Sequence, residues 1–192
     1  MKYIIISTLA AVALVGGVLF FKGDSYTQEG DSSSKISSVI NALESGAINE
    51  KYKFSVSIGE VGSEHSHASI LFFIDGEKID FARDEYMLRS QHMHFENRDG
   101  TTIHKHATGV NFPLFLATLD IRINKNCLMI DIAKEYCSDE AKKLTFTVNG
   151  EKTEDIYREL RDGDKILINY GDDNDEELME KFDAVPEPDT RG

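Results

Sequence analysis

The stretch HMHFENRDGTTIHKH, residues 92–106, places one His-x-His triplet on each side of a turn. Alternate residues of a β-strand point to the same face of its sheet, so each triplet presents two imidazoles side by side. A third triplet, His65-Ser66-His67, lies upstream, and the three triplets together contain all six histidines of the chain. This concentration of imidazoles makes binding of a divalent transition metal the first hypothesis.

The residues between the two later triplets predict a β-hairpin and its register. Asn97 can open a type I turn and Gly100 can adopt positive φ, which together match a three-residue loop that ends in a bulge. In that register four imidazoles share one face, as the cross-strand pairs His94 with His104 and His92 with His106, while Met93, Phe95 and Ile103 face the core. Imidazoles on such pairs can converge on one ion at metal–nitrogen distances of about 2.0 to 2.1 Å. A two-residue turn centred on Asp99-Gly100 is the alternative, and it would put the triplets on opposite faces.

The chain begins with an apolar run, residues 3–21, between Lys2 and Lys22. A run of this length can cross a bilayer and exceeds the usual apolar region of a signal peptide. Residues 1–22 are therefore expected to be a transmembrane anchor, with a removed signal peptide as the alternative because both share this charge and length profile. The positive charge on the short side places the N-terminus in the cytoplasm, so the protein is expected in the cell membrane with its domain extracytoplasmic.

The exported part is strongly acidic. After residue 22 the chain carries 19 basic and 34 acidic side chains, a net charge of −15. This charge argues against nucleic acid as a partner and against contact with anionic lipid beyond the anchor. It would attract cations, and ordinary solubility also explains it.

Two cysteines, Cys127 and Cys137, are separated by nine residues, and no Cys-x-x-Cys motif is present. In an exported chain such a pair is expected to form a structural disulfide. A thiolate ligand for a soft metal, or a transient redox pair, is the alternative.

The organisation along the chain is expected to be as follows. We expect residues 23–34 to form a flexible stalk. Residues 35–64 are expected to form a short helix, which ends near Gly46, and a strand over 52–58. Residues 65–171 form the histidine-rich domain, and residues 172–192 an acidic, disordered tail with at most a short helix around 176–182.

Within residues 65–171 the pattern predicts strands before and after one helix. The helix carries Phe112, Phe115, Leu116 and Leu119 on one face. Strands are expected at 68–74, 77–81, 127–132, 143–148 and 165–170, with turns at Asp75-Gly76, Asn149-Gly150 and Asp162-Gly163. Hairpin, helix and further strands in this order indicate the α+β class.

This order resembles a β-grasp, the ubiquitin-like arrangement in which a helix crosses a mixed sheet. The residues Val148-Asn149-Gly150-Glu151, followed by the stretch 162–168, look like the corresponding part of ubiquitin-like sulfur carriers. Those carriers end in a diglycine, whereas here Gly171 runs into Asp172-Asp173. The resemblance therefore implies the fold and does not extend to sulfur carriage.

Residues 65–171 also resemble a group of membrane-anchored, exported proteins of ammonia-oxidising archaea and candidate-phylum bacteria. The matching residues are His65-x-His67-Ala68, Ile74-Asp75-Gly76-Glu77-x-Ile79-Asp80-Phe81, Tyr86-Met87, His104-x-His106-Ala107-x-Gly109-Val110, Val148-Asn149-Gly150-Glu151 and Ile166-Leu167-Ile168-x-Tyr170-Gly171. The resemblance implies an exported histidine-rich domain and supplies no mechanism.

The donor chemistry narrows the choice of metal and function. An all-imidazole site suits Zn(II), Cu(II) or Ni(II), and we expect copper(II) or zinc held by His92, His94, His104 and His106. His65 and His67 join them only if their strand lies beside the hairpin or a second ion is bound, and Glu64, Glu96 and Asp84 could orient the ligands.

Three functions are compatible with such a site. The protein buffers the metal or delivers it to a membrane-protein partner, it is a metalloenzyme with three histidines and an open position, or it is an accessory subunit with a structural metal. The common hydrolase and phosphoryl-transfer motifs are missing from the sequence, which makes an enzyme the less favoured reading.

Overall fold

The main sheet is built around a parallel pair of strands, β1 (Ser66–Ile74) and β10 (Lys165–Gly171). The computed structural model describes residues 37–42, 50–130 and 134–190, and in these ranges the sheet has seven strands. The remaining strands of the sheet are β2 (Glu77–Lys78), β3 (Met93–Glu96), β4 (Asp99–Lys105), β8 (Lys143–Val148) and β9 (Glu151–Lys152). Their order is β3-β4-β1-β10-β8-β9, with β2 paired to the end of β1. The sheet is mixed and the expected α+β class is confirmed.

β1 is buried on both faces of the sheet, which is why its sequence is almost continuously apolar. Ile70 and Phe72 point into the larger core. Leu71 points the other way and packs in a smaller cluster with Leu167 of β10. His65 and His67 lie an even number of residues before Leu71, so they belong to the same face of the sheet, the face that carries the smaller cluster.

The larger core is closed by helix α2 (Phe112–Thr118) and a second sheet. The side chain of Asn111 caps α2 by accepting a hydrogen bond from the Leu114 backbone N–H at 3.0 Å, and Pro113 occupies the first turn. Every residue of α2 is buried. The second sheet consists of β5 (Ile121–Ile123), β6 (Cys127–Ile130) and β7 (Lys134–Cys137), all antiparallel.

The acidic tail contains an ordered helix, α3 (Asp175–Asp183). Asn174 and Glu177 form a reciprocal capping box at its start, and Leu178 and Phe182 pack against the smaller cluster. The expectation of a disordered tail is wrong for this segment, while the short helix expected around 176–182 is present. The disorder prediction failed because two apolar side chains four positions apart are enough to dock a helix that is otherwise charged.

The segment before β1 differs from its prediction. Residues 37–42 are helical, as expected, and we call this segment α1; the expected helix end near Gly46 lies outside the described residues. No strand forms over 52–58, where a short 3-10 helix, Glu50–Tyr52, is followed by irregular chain. The side chains of Phe54, Val56 and Ile58 are half-buried against the core and alternate with exposed serines. The alternating pattern therefore indicates burial of every second side chain, without strand pairing.

Other boundaries are shorter than predicted or lie beyond the described ranges. The strand expected over 77–81 pairs only as Glu77–Lys78. The expected anchor, residues 1–22, and the stalk, 23–34, lie outside the part of the chain that the structure describes. Among the helices within that part, none combines the length and the apolar character that crossing a bilayer requires.

Candidate metal centre

The histidine hairpin turns earlier than the sequence predicts. Asn97 and Arg98 form a two-residue turn with φ of 54° and 58°, and Glu96 pairs with Asp99. Positive φ at both central positions is the pattern of a type I′ turn, whose twist matches that of the flanking strands. The predicted three-residue loop, with Gly100 at positive φ, is therefore wrong.

A bulge in β4 nevertheless restores the predicted register further along the hairpin. Between the Glu96–Asp99 pair and the His94–His104 pair, β4 uses more residues than β3. The Asp99 carboxylate holds these extra residues by accepting hydrogen bonds from the Thr101 backbone N–H at 2.8 Å and from its hydroxyl at 2.5 Å. His94 consequently lies opposite His104, as the sequence predicts.

β1 lies directly beside the hairpin, which brings the third triplet to the same place. His67 pairs with His104 and Ser66 with Lys105. The backbone of His67 is held on its other side, because its N–H donates to the Asp162 carboxylate at 2.9 Å and its carbonyl accepts from the Gly163 N–H at 2.8 Å. His65 and His67 are expected to join the site if their strand lies beside the hairpin, and the structure meets this condition.

Five imidazoles form a closed ring on this face of the sheet, and we call them the histidine ring. Each contacts two others, with ring centroids 4.9 Å apart for His65 and His67, 4.8 Å for His67 and His104, 5.9 Å for His104 and His94, 5.0 Å for His94 and His106, and 5.1 Å for His106 and His65. Three chain segments therefore direct their imidazoles to a common place.

One pair of the ring already has the spacing of two ligands of one ion. The Nε2 atoms of His65 and His67 lie 3.3 Å apart. Two nitrogens bound at about 2.0 to 2.1 Å with a tetrahedral angle between them are separated by about 3.3 to 3.4 Å. The same distance also allows an N–H···N hydrogen bond between the two rings, in which one ring donates and the other accepts.

The tautomer of His94 follows from its backbone partner. Its Nδ1 lies 2.8 Å from the carbonyl oxygen of Ser90, which can only accept, so Nδ1 carries the proton and donates it. The lone pair is then on Nε2, the atom nearest to Glu96 at 3.5 Å. A hydrogen bond from the second nitrogen to a carbonyl is the usual way in which a protein orients a metal-binding imidazole.

Glu96 is the carboxylate that contacts the histidine ring. Its two oxygens lie 3.5 Å from Nε2 of His94 and 3.7 Å from Nε2 of His104. The sequence predicts Glu96 only as a residue that could orient ligands. It lies two positions after His94 on β3 and therefore on the same face of the strand. Glu64 and Asp84 face elsewhere: Glu64 accepts from Lys105 at 2.6 Å, and Asp84 accepts from Arg98 at 3.0 Å.

Burial favours neutral imidazoles at this site. Burial lowers the pKa of His106 to about 4, and the neighbouring imidazoles of His94, His65 and His104 act in the same direction. Burial is also the main reason that the pKa of His104 is lowered, with Glu96 opposing the shift. A neutral imidazole keeps a lone pair for a metal at neutral pH, where a protonated one cannot be a ligand.

His92 stands apart from the other five histidines. Its carbonyl accepts a hydrogen bond from the His106 backbone N–H at 2.8 Å, as expected for cross-strand partners. Its ring makes no contact with the histidine ring within the described residues, and its Nδ1 is buried without a hydrogen-bond partner. The residue precedes β3 in a bend, where strand alternation no longer sets the direction of the side chain.

The imidazole nitrogens approach one another in pairs. In the described ranges, the one set of three potential ligand atoms that all lie within 4.8 Å of one another is the two sulfurs of Cys127 and Cys137 with a Glu135 oxygen. Binding of one ion by three imidazoles, or by two imidazoles with Glu96, would therefore require rotation of these side chains about their torsions. The two cysteines face each other across β6 and β7 and form the expected disulfide, so they offer no thiolate.

Lys105 points to the face of the sheet opposite the histidine ring, and there it holds together the segments that carry the ring. Its side chain is only 3% exposed, and its Nζ donates to Glu64 at 2.6 Å, to Glu159 at 2.8 Å and to the Leu160 carbonyl at 2.8 Å. These contacts tie β4 to the residue that precedes His65 and to the loop before β10. The sequence offered one signal of this role, a lysine between two histidines at a core-facing position.

Comparison with known proteins adds no relative to this description. No family model matches the chain, and no curated protein or solved structure matches it.

Proposed function

We propose that this chain is a membrane-tethered, extracytoplasmic protein that binds copper(II) or zinc and either buffers the ion or delivers it to a membrane-protein partner. The observation that carries the proposal is the closed ring of His65, His67, His94, His104 and His106. A polar sheet face with no ligand would not need five imidazoles in mutual contact, two of them with a lowered pKa.

The donor set favours ions of intermediate softness. Imidazole nitrogen and a carboxylate suit Zn(II) and Cu(II), whereas tight capture of Cu(I) recruits thiolate or thioether sulfur. Met93 is fully buried on the core side of β3, and both cysteines are joined in a disulfide. The acidic charge of the chain also favours a cationic cargo.

The scaffold we propose is β-grasp-like and is attached to the membrane by a helix over residues 1–22. The parallel pairing of β1 with β10 at the centre, with β4 and β8 on either side and α2 packed against one face, supports the β-grasp reading. The apolar run 3–21 supports the anchor. Such a scaffold would present the histidine ring outside the cytoplasm.

The test is the metal content of the full chain. The purified protein is loaded with Zn(II) or Cu(II) at pH 7.5, freed of excess by gel filtration and analysed for metal. We expect metal to remain bound to the unsubstituted chain and the variant that combines His94→Ala with His104→Ala to retain less of it. The exposed His65→Ala substitution gives a second, structurally mild variant, which should bind more weakly.

His92→Ala is the matched control, because it removes a histidine of the same hairpin that lies outside the histidine ring. It should retain the metal. Circular dichroism of each variant checks that the fold survives. Equal metal content in the unsubstituted chain and in the folded ring variants would overturn the proposal.

A further inference from the structure

The histidine ring with Glu96 offers six donor groups, more than one four-coordinate ion uses. Zinc sites take three or four protein ligands, and catalytic or exchangeable sites leave a position open. Five imidazoles and one carboxylate are therefore enough for two ions with three protein ligands each.

The contacts divide the ring into two parts. On one side, Nε2 of His65 and Nε2 of His67 are 3.3 Å apart, the spacing of two ligands on one ion. On the other side, Glu96 directs a separate oxygen to His94 and to His104, at 3.5 and 3.7 Å. His106 lies between the two parts, with its ring 5.1 Å from that of His65 and 5.0 Å from that of His94.

His65 gives the outer part its access to solvent. It is exposed, whereas the neighbouring His67 and His104 are 7% and 5% exposed. An ion on the His65 side would exchange with solvent more readily than one on the His104 side. Such a difference suits a protein that takes up an ion and passes it on.

We propose that the histidine ring binds two divalent ions, one at an outer site formed by His65 and His67 and one at an inner site formed by His94, His104 and Glu96. His106 completes the outer site, so that each ion has three protein ligands. This inference rests on the proposed metal-binding function. The carboxylate of Glu96 offsets part of the repulsion between two dications, and the repulsion that remains makes the second ion bind more weakly than the first.

The experiment is a titration of the full chain with Zn(II) alone at pH 7.5, followed by native mass spectrometry for stoichiometry and calorimetry for affinity. We expect two ions per chain. The variant His65→Ala with His67→Ala should keep one ion, and the variant His94→Ala with Glu96→Gln should also keep one. The single substitution His65→Ala should weaken one of the two binding steps by at least about 10-fold, because loss of a direct ligand costs no less than loss of a residue that only orients one.

Each outcome has a distinct meaning. One ion in the unsubstituted chain, lost or weakened in both variants, overturns the two-site division and leaves the proposed function in place. Two ions that are both lost in either variant also overturn the division. No bound ion in the folded, unsubstituted chain removes the proposed function itself. His92→Ala serves again as the control and should bind two ions.

Discussion

His67 of β1 pairs with His104 of β4, and their imidazoles meet edge to face with ring centroids 4.8 Å apart. The two residues belong to triplets nearly forty positions apart in the sequence, so this pairing joins the upstream triplet to the hairpin. Stability of the sheet at this point and integrity of the histidine ring are therefore linked.

Substitution of Lys105 by Met should destabilise the domain by about 2 to 4 kcal/mol, because it leaves two carboxylates beside a buried position without their cation. The ammonium is 3% exposed and has three acceptors. Lys142→Met is the matched control, since Lys142 pairs with Asp75 where both side chains are well exposed, and it should lower the stability much less than Lys105→Met does. Urea unfolding of both variants measures the difference; equal losses would contradict the prediction.

Gly100→Ala should disrupt the bulge of the histidine hairpin. A Cβ on Gly100 would lie 2.3 Å from the backbone nitrogen of Ala82 and 2.3 Å from the carbonyl carbon of Phe81, so β4 must move away from the irregular chain at residues 81–82. Gly76→Ala is the comparison, because its Cβ would meet nothing within 4 Å and only its φ of 80° is strained. We expect Gly100→Ala to lower the thermal midpoint more than Gly76→Ala does. The reverse order would argue against this packing.

The apo chain should lose stability as the pH falls from about 6.5 towards 4. The pKa of His106 is lowered to about 4 in the folded chain, whereas an unfolded histidine titrates near 6.5. Between these values the unfolded state binds more protons, so the free energy of unfolding decreases on acidification. Urea midpoints at a series of pH values test this, and His106→Asn should flatten the dependence. A midpoint that rises on acidification would exclude the assigned direction.

Nitrogen NMR of the apo chain at pH 8 should show His94 protonated at Nδ1. The Ser90 carbonyl, 2.8 Å from that nitrogen, accepts the proton and stabilises this tautomer. The same spectrum recorded in concentrated urea supplies the reference, in which the preference should disappear. Protonation at Nε2 in the folded chain would show that the lone pair is not available for a metal on the side of Glu96.

Removal of the disulfide should reduce stability and leave metal binding intact. Cys127 and Cys137 are 10 positions apart and belong to the second sheet, so the double substitution to Ala should cost about 2 to 3 kcal/mol through the short loop that the bond closes. Metal content should equal that of the unsubstituted chain. Loss of metal from a folded double variant would implicate the sulfurs in binding.

The sequence predicted the pairing of His94 with His104 although it predicted the wrong turn. The turn lies at Asn97-Arg98, earlier than predicted. The Asp99 carboxylate stabilises a bulge in β4, and this bulge restores the predicted register. Turn chemistry is local and ambiguous where several turn-forming residues adjoin, whereas the hydrophobic alternation on each strand constrains which face is buried.

The sequence does not predict which distant strands are neighbours in the sheet. Nothing in the local pattern says that β1 lies beside β4, because the two strands are separated by other elements, and the participation of His65 and His67 depends on that neighbourhood. At residues 52–58 the alternating pattern predicts a strand, but the chain packs against the core without pairing with another strand. The sequence predicts a short helix within a disordered tail at α3, and the capping box of Asn174 and Glu177 is the sequence signal that favours an ordered helix there.

The central position of β10 has a consequence for biogenesis. β1 is synthesised early, but its parallel partner is among the last strands to be made, and the loop just before β10 holds the backbone of His67. A ribosome or a translocation channel that releases the chain from its N-terminus would expose an incomplete sheet until nearly the whole polypeptide has emerged. Truncation upstream of β10 should therefore yield a product that aggregates or is degraded.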